Sequence, residues 1–167
     1  MMTVRLPHPW LVALVNRVKL QVTGIHHVRI SEVDLVYSSY RGDADTADLI
    51  GIYDESGNIY IEEGLTMRDA RFADLVAYHE FLEISAKRAG SSHARAHRRA
   101  VVGSLIAAKE HLPDLDQMHA FLDWQIGAYP REKVGDPGTV IAEIENELLR
   151  DCLGKGRLLD IVTRHRL

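Results

Sequence analysis

Two runs of apolar residues, Leu49-Ile50-Gly51-Ile52-Tyr53 and Asn58-Ile59-Tyr60-Ile61-Glu62, flank a turn-rich spacer, Asp54-Glu55-Ser56-Gly57. Side chains alternate across a strand, so this pattern predicts a β-hairpin with Ile50, Ile52, Ile59 and Ile61 on one face. Beyond Gly64 the apolar residues change period and recur every three to four positions, the spacing of helices. Strand patterns are thus confined to the first part of the chain and helical patterns dominate the rest.

The remaining elements follow from local signals. Leu11, Val12, Leu14, Val15, Val18 and Leu20 predict a first helix over roughly Pro9 to Val22, ending at Gly24. His26 to Ile30 and Asp34 to Tyr37 read as short extended segments, and Tyr40 to Thr46, rich in Gly and Asp, as a loop. Thr66 with Asp69 makes a capping pair for a helix from Met67 to Arg88, stopped by Gly90. Ser91 or Ser92 caps a second helix reaching Glu110, and Pro113-Asp114 with Gln117 opens a third. Asp136-Pro137, an N-cap followed by proline at the first helical position, opens a fourth with Ile141, Ile144, Leu148 and Cys152 on one stripe. A short helix from Arg157 to Arg164 ends the chain. The expected class is therefore α+β: an N-terminal helix, a small and mostly antiparallel sheet, then a helical C-terminal half.

A chain of 167 residues with 46% hydrophobic content suits a single domain over 1–167. Its net charge of −4 does not argue for nucleic acid as the default partner. The basic stretch His93-Ala94-Arg95-Ala96-His97-Arg98-Arg99 lacks interleaved aromatics and reads as a solvated helix face. Cys152 is the sole cysteine, so neither an internal disulfide nor a Cys-rich zinc framework can form, and a metal would have to be held by His, Asp and Glu. The nine histidines make that route worth following. The apolar run Pro9 to Val15 is far shorter than the ~20 residues needed to span a bilayer. Met1 to Leu6 shows no secretory pattern, and a cytoplasmic location is expected. No Gly-rich phosphate loop and no Ser-His-Asp set stands out. Phe121, Trp124, Ile126 and Tyr129 read as core, and Cys152 as a buried thiol.

Chemistry concentrates on the helix from Met67 to Arg88. His79 and Glu83 extend a stripe begun by Phe72, Leu75 and Val76, and an ionised glutamate on such a stripe is costly unless a cation or an arginine answers it. Residues four apart share a helix face, so His79 and Glu83 can share one ion. Glu80, turned about 100° from His79 around the axis, cannot easily ligate beside it but can address a bound water. The next helix carries His93 and His97, also four apart. Glu83 lies seven residues before Gly90 and His97 seven after, which puts the two at similar depth in an antiparallel helix pair. His97 is thus the preferred third ligand. His93, nearer the turn, is a fourth ligand or a supporting group.

The hairpin, then Gly64-Leu65-Thr66, then a helix bearing Tyr78-His79-Glu80-Phe81-Leu82-Glu83, resembles the core of zincin-type metallopeptidases of the small gluzincin kind. The likeness covers about Pro9 to Glu110 and leaves 113–167 as additional helices. It implies zinc or another divalent metal, a peptide or protein substrate, and Glu80 as general base toward a zinc-activated water. The chain departs from the family at Glu83, which gives HExxE in place of HExxH, and the third ligand, often Glu in gluzincins, is here a His. A His/Glu/His set still suits zinc with one open position. The alternative is a protein without catalysis, in which the His/Glu cluster is structural and the chain acts as a binding or regulatory module.

Overall fold

The computed structural model describes residues 9–46, 49–112, 114–127, 129, 134–149 and 155–167. It is an α+β protein with an N-terminal helix, a four-stranded mixed sheet and a helical C-terminal half. The chain forms two compact units, residues 1–96 and 97–167. Among the described residues no helix is long and apolar enough to cross a membrane.

The first unit opens with α1 (Pro9–Lys19), followed by β1 (Val22–Ile30) and β2 (Val33–Tyr40). The helix is shorter than its apolar pattern suggested, because Val22 already pairs with Tyr40. Gly24 consequently lies inside β1, at a register shift, and does not end the helix. β1 and β2 form an antiparallel hairpin with Ile30 opposite Val33, turned by Ser31 and Glu32. Both turn residues have positive φ, 48° and 66°. Such a two-residue turn matches the right-handed twist of strands, and it normally uses Asn or Gly.

β3 (Gly51–Tyr53) and β4 (Ile59–Glu62) form the hairpin anticipated from the alternating runs, and the sheet order is β1-β2-β4-β3. Two of the three pairings are antiparallel, and β2 runs parallel to β4. The register corrects one expectation. Tyr53 faces Ile59 and Ile52 faces Tyr60, so the loop spans five residues, Asp54 to Asn58, and not four. One residue of slip exchanges the faces of a strand. Ile52 therefore shares a face with Tyr60, whereas Gly51, Tyr53, Ile59 and Ile61 occupy the other.

Each face receives a helix. Ile52 and Tyr60 pack with Val15 and Val18 of α1, together with Tyr40 and Leu49. The opposite face is covered by α3 (Ala70–Arg88), reached through the short α2 (Glu63–Arg68). Glu62 caps α2 through its bond from Leu65 N, and Asp69 caps α3 by accepting from Phe72 N at 3.2 Å. Asp69 is thus a cap in its own right and not the partner of Thr66. Arg88, at the end of α3, donates to Ser56 O and ties the hairpin tip to the helix.

Asp54 organises the five-residue loop. Its Oδ1 accepts from Ser56 N and Asn58 N at 2.9 Å each, while Oδ2 accepts from Asn58 Nδ2 and Tyr60 Oη. Lys19 of α1 places its ammonium 3.0 Å from the same Oδ2. Burial pushes this carboxyl up, but the Asn58 hydrogen bonds and the Lys19 charge outweigh it and hold Asp54 below the ordinary value.

The second unit begins within α4 (His93–His111) and continues through α5 (Leu115–Gly127), α6 (Pro137–Leu149) and α7 (Lys155–Arg164). Asp114 caps α5 through Gln117 N at 2.8 Å, as the sequence suggested. Phe121 and Ile126 are buried, in keeping with their reading as core, and Ile141, Ile144 and Leu148 of the α6 stripe are buried as well. Trp124 and Tyr129 are half-buried, and Cys152 lies outside the described residues.

Asp54→Ala is expected to destabilise the protein by roughly 2–3 kcal/mol at neutral pH, measured by urea unfolding, since a buried charged acceptor with several donors is lost. A carboxylate whose folded pKa lies below its free value stabilises above the free value, and that contribution fades as pH falls through the folded one. The gap between wild type and variant should therefore be full above pH 3.8 and close as the pH drops further.

Candidate metal centre

Helix α3 crosses the sheet with its C-terminal half over β3, and there the polar residues anticipated from the sequence gather. Glu83 is the centre of the group, with its side chain 7% exposed. Its Oε1 accepts from Tyr53 Oη at 3.0 Å and lies 2.9 Å from Lys87 Nζ and 3.3 Å from His93 Nδ1. Its other oxygen, Oε2, lies 3.7 Å from His79 Nε2. Lys87 also donates to Tyr53 Oη, closing a triangle between helix and strand.

Helical spacing explains the arrangement. His79, Glu83 and Lys87 are successive i,i+4 neighbours on α3, and side chains lean toward the N-terminus of their helix, bringing the Lys87 amine back over Glu83. Tyr53 arrives from β3 because the five-residue loop turns it toward α3. Its phenol is raised well above the usual range, first by burial and then by the Glu83 charge, so it is a neutral donor.

Glu80 lies on the same stretch of helix, with its carboxyl toward β3. A Cβ on Gly51 would stand 3.2 Å from Glu80 Oε1 and 2.9 Å from Val76 Cγ1, so the close approach depends on glycine at position 51. Burial, and then the charge of Glu83, push Glu80 up to about 8, with Lys87 pulling against them. A carboxyl near neutrality is suited to exchanging protons at physiological pH.

Gly90, with φ of 92°, ends α3, and Ser92 caps α4 by accepting from Arg95 N. His97 lies one turn after His93 on α4. His79, Glu83 and His97 each offer one ligand atom, and these atoms lie within 4.8 Å of one another. His97 Nε2 also lies 2.7 Å from Tyr129 Oη. His93 is 74% exposed and stands on the Oε1 side of Glu83, away from the oxygen that faces His79.

The donor set fits a divalent cation. Two imidazole nitrogens and one carboxylate oxygen fall within the zinc ligand range, and tetrahedral ligands about 2.0–2.1 Å from zinc stand about 3.4 Å apart. The 3.7 Å between His79 and Glu83 is within a few tenths of that spacing. The His79–Glu83–His97 group could hold a metal ion. The sequence reading identified these residues but passed over Lys87 and Tyr53. Lys87 could have been found from its i,i+4 spacing to Glu83; Tyr53 depended on a hairpin register one residue away from the one its alternating pattern predicts.

The other histidine pair is divided by strand alternation. His26 stacks on Tyr37 and lies 3.0 Å from Ser39 Oγ, whereas His27 is exposed on the opposite face. No family model matches this chain, nor does any curated protein or solved structure.

Gly51→Ala is expected to cost about 1–3 kcal/mol, because an added methyl must displace Val76 and the Glu80 carboxyl in a packed layer. Chemical denaturation without added metal measures it, and an unchanged midpoint would show that the helix yields freely. Glu83→Ala, under the same conditions, should lose roughly 2–4 kcal/mol by stranding Tyr53 and Lys87. Glu83→Gln keeps an acceptor for Tyr53 and should lose less.

Proposed function

We propose that this protein binds a divalent cation, zinc foremost, through His79, Glu83 and His97, and acts as a metal-dependent hydrolase on peptide or protein substrates. The observation that carries this reading is the convergence of three ligand atoms within 4.8 Å, one from each residue. The zincin-type order of hairpin, HExxE helix and following His-bearing helix supports it. Held by these three residues, zinc would supply a Lewis acid able to lower the pKa of water toward neutrality.

The protein's own residues would supply the rest of the chemistry. Glu80, next in sequence to His79, has a carboxyl poised near neutral pH, able to take a proton from water and return it to a leaving amine. Tyr53 is neutral and already donates to Glu83, so it orients that carboxylate without competing for protons. Gly51 keeps β3 close to Glu80 and limits the space in which that carboxyl can turn.

One observation favours a second reading. Glu83 is already neutralised by Lys87 and hydrogen-bonded by Tyr53, as expected of a cluster that ties helix to strand without a metal. Under that reading the chain is a non-catalytic binding or regulatory module.

Metal content of the purified protein separates the two. About one zinc per chain is expected, with substantial loss in each of His79→Ala, Glu83→Ala and His97→Ala. Glu80→Gln should keep the metal and lose hydrolysis of a peptide library by about 100-fold or more, within the range for removing a general base. Absence of metal in the wild type, with none taken up from added zinc, would leave the structural cluster as the answer.

A further inference from the structure

Glu83 is held by a cation of the protein's own. Lys87 Nζ lies 2.9 Å from Oε1, and the lysine side chain is 19% exposed, so this is an enclosed ion pair and not a loose surface contact. The two oxygens of Glu83 have different surroundings. Oε1 meets Lys87, Tyr53 and His93, while Oε2 faces His79. A divalent ion on the Oε2 side would share one carboxylate with an ammonium in a partly desolvated layer. Like charges so placed repel, and with an effective dielectric between those of protein and water the repulsion is worth at least about ten-fold in affinity.

We propose that Lys87 is a built-in competitor for the metal: its ammonium neutralises Glu83 in the metal-free protein and moves away from the carboxylate when a divalent cation binds. The inference rests on the metal reading of His79, Glu83 and His97. Lys87 has somewhere to go. Its long stem lies near the C-terminal end of α3, and a lysine can keep its stem packed while its head reaches water. Tyr53 has the opposite role. It bonds the same Oε1 at 3.0 Å without carrying charge, so it fixes the carboxylate rotamer and stays in place when the metal arrives. The two residues touch each other and the same oxygen, yet the inference assigns them opposite effects on metal affinity.

The test measures zinc affinity of the full chain by competition with a chromophoric chelator, for wild type, Lys87→Met, Lys87→Arg and Tyr53→Phe. Lys87→Met keeps most of the stem and removes the charge, and it should bind zinc at least about ten-fold more tightly. Lys87→Arg keeps the charge and should stay close to wild type, while Tyr53→Phe should bind more weakly. Zinc taken up by Lys87→Met but not by wild type would support the proposal in its strongest form. Equal or weaker binding by a folded Lys87→Met, beside a wild type that binds, would overturn the competitor role and leave the metal site standing. No binding by either would overturn the metal reading and this inference with it. Amine-selective labelling of wild type, read by mass spectrometry against Lys19 and Lys109, needs no variant. Zinc should raise labelling at Lys87 several-fold, and unchanged labelling at saturating zinc would count against displacement.

Discussion

A carboxylate at position 83 sits between a helix and a sheet, where little water reaches it. Leaving an ionised group in such a layer unanswered costs several kcal/mol, more than a typical single contact returns. The polar design around it follows from that constraint. Lys87 supplies charge from one turn further along α3, Tyr53 supplies a hydrogen bond from the edge strand, and two histidines flank the oxygens. His79 and Glu83 of this cluster also belong to the group that could hold a metal ion. Whether a group like this is a ligand set or a structural tie depends on which cation the glutamate prefers, the ion or the ammonium.

The sheet register makes the cluster possible. With a four-residue turn, Ile52 would face α3, and Tyr53 would point toward α1 and away from Glu83. The five-residue turn reverses this and sends Gly51 and Tyr53 to the α3 side. Asp54 holds that turn through backbone and side-chain donors, and Lys19 of α1 holds Asp54. A charge pair on one side of the sheet thus supports the geometry of a polar cluster on the other. The link is mechanical: alternation along a strand couples the two faces rigidly.

Much of the site was legible in one dimension because helices repeat at a fixed interval. His79, Glu83 and the offset of Glu80 follow from 3.6 residues per turn, and the choice of His97 followed from counting outward from Gly90. Lys87 was equally available by the same spacing, but its significance depends on Glu83 being buried. Strands carry weaker signals. The Ser31-Glu32 turn uses residues that seldom take positive φ, so nothing local announces the β1–β2 hairpin. The early end of α1 was hidden for a related reason: Val22 extends the apolar run of the helix, yet cross-strand pairing with Tyr40 claims it for the sheet.

The amino-acid sequence alone determined the order of elements, the α+β class, the i,i+4 placement of His79 and Glu83, and most of the helix stops and caps, because each arises from contacts within a few residues. Tertiary structure decided the hairpin register, the approach of Gly51 to Glu80, and the pairing of Glu83 with Tyr53 thirty residues away. It also decided that Glu83 is buried, and so that Lys87 matters. Those features depend on how a sheet of given twist meets a helix, and on where the chain excludes water. Neither is set by residues adjacent in sequence.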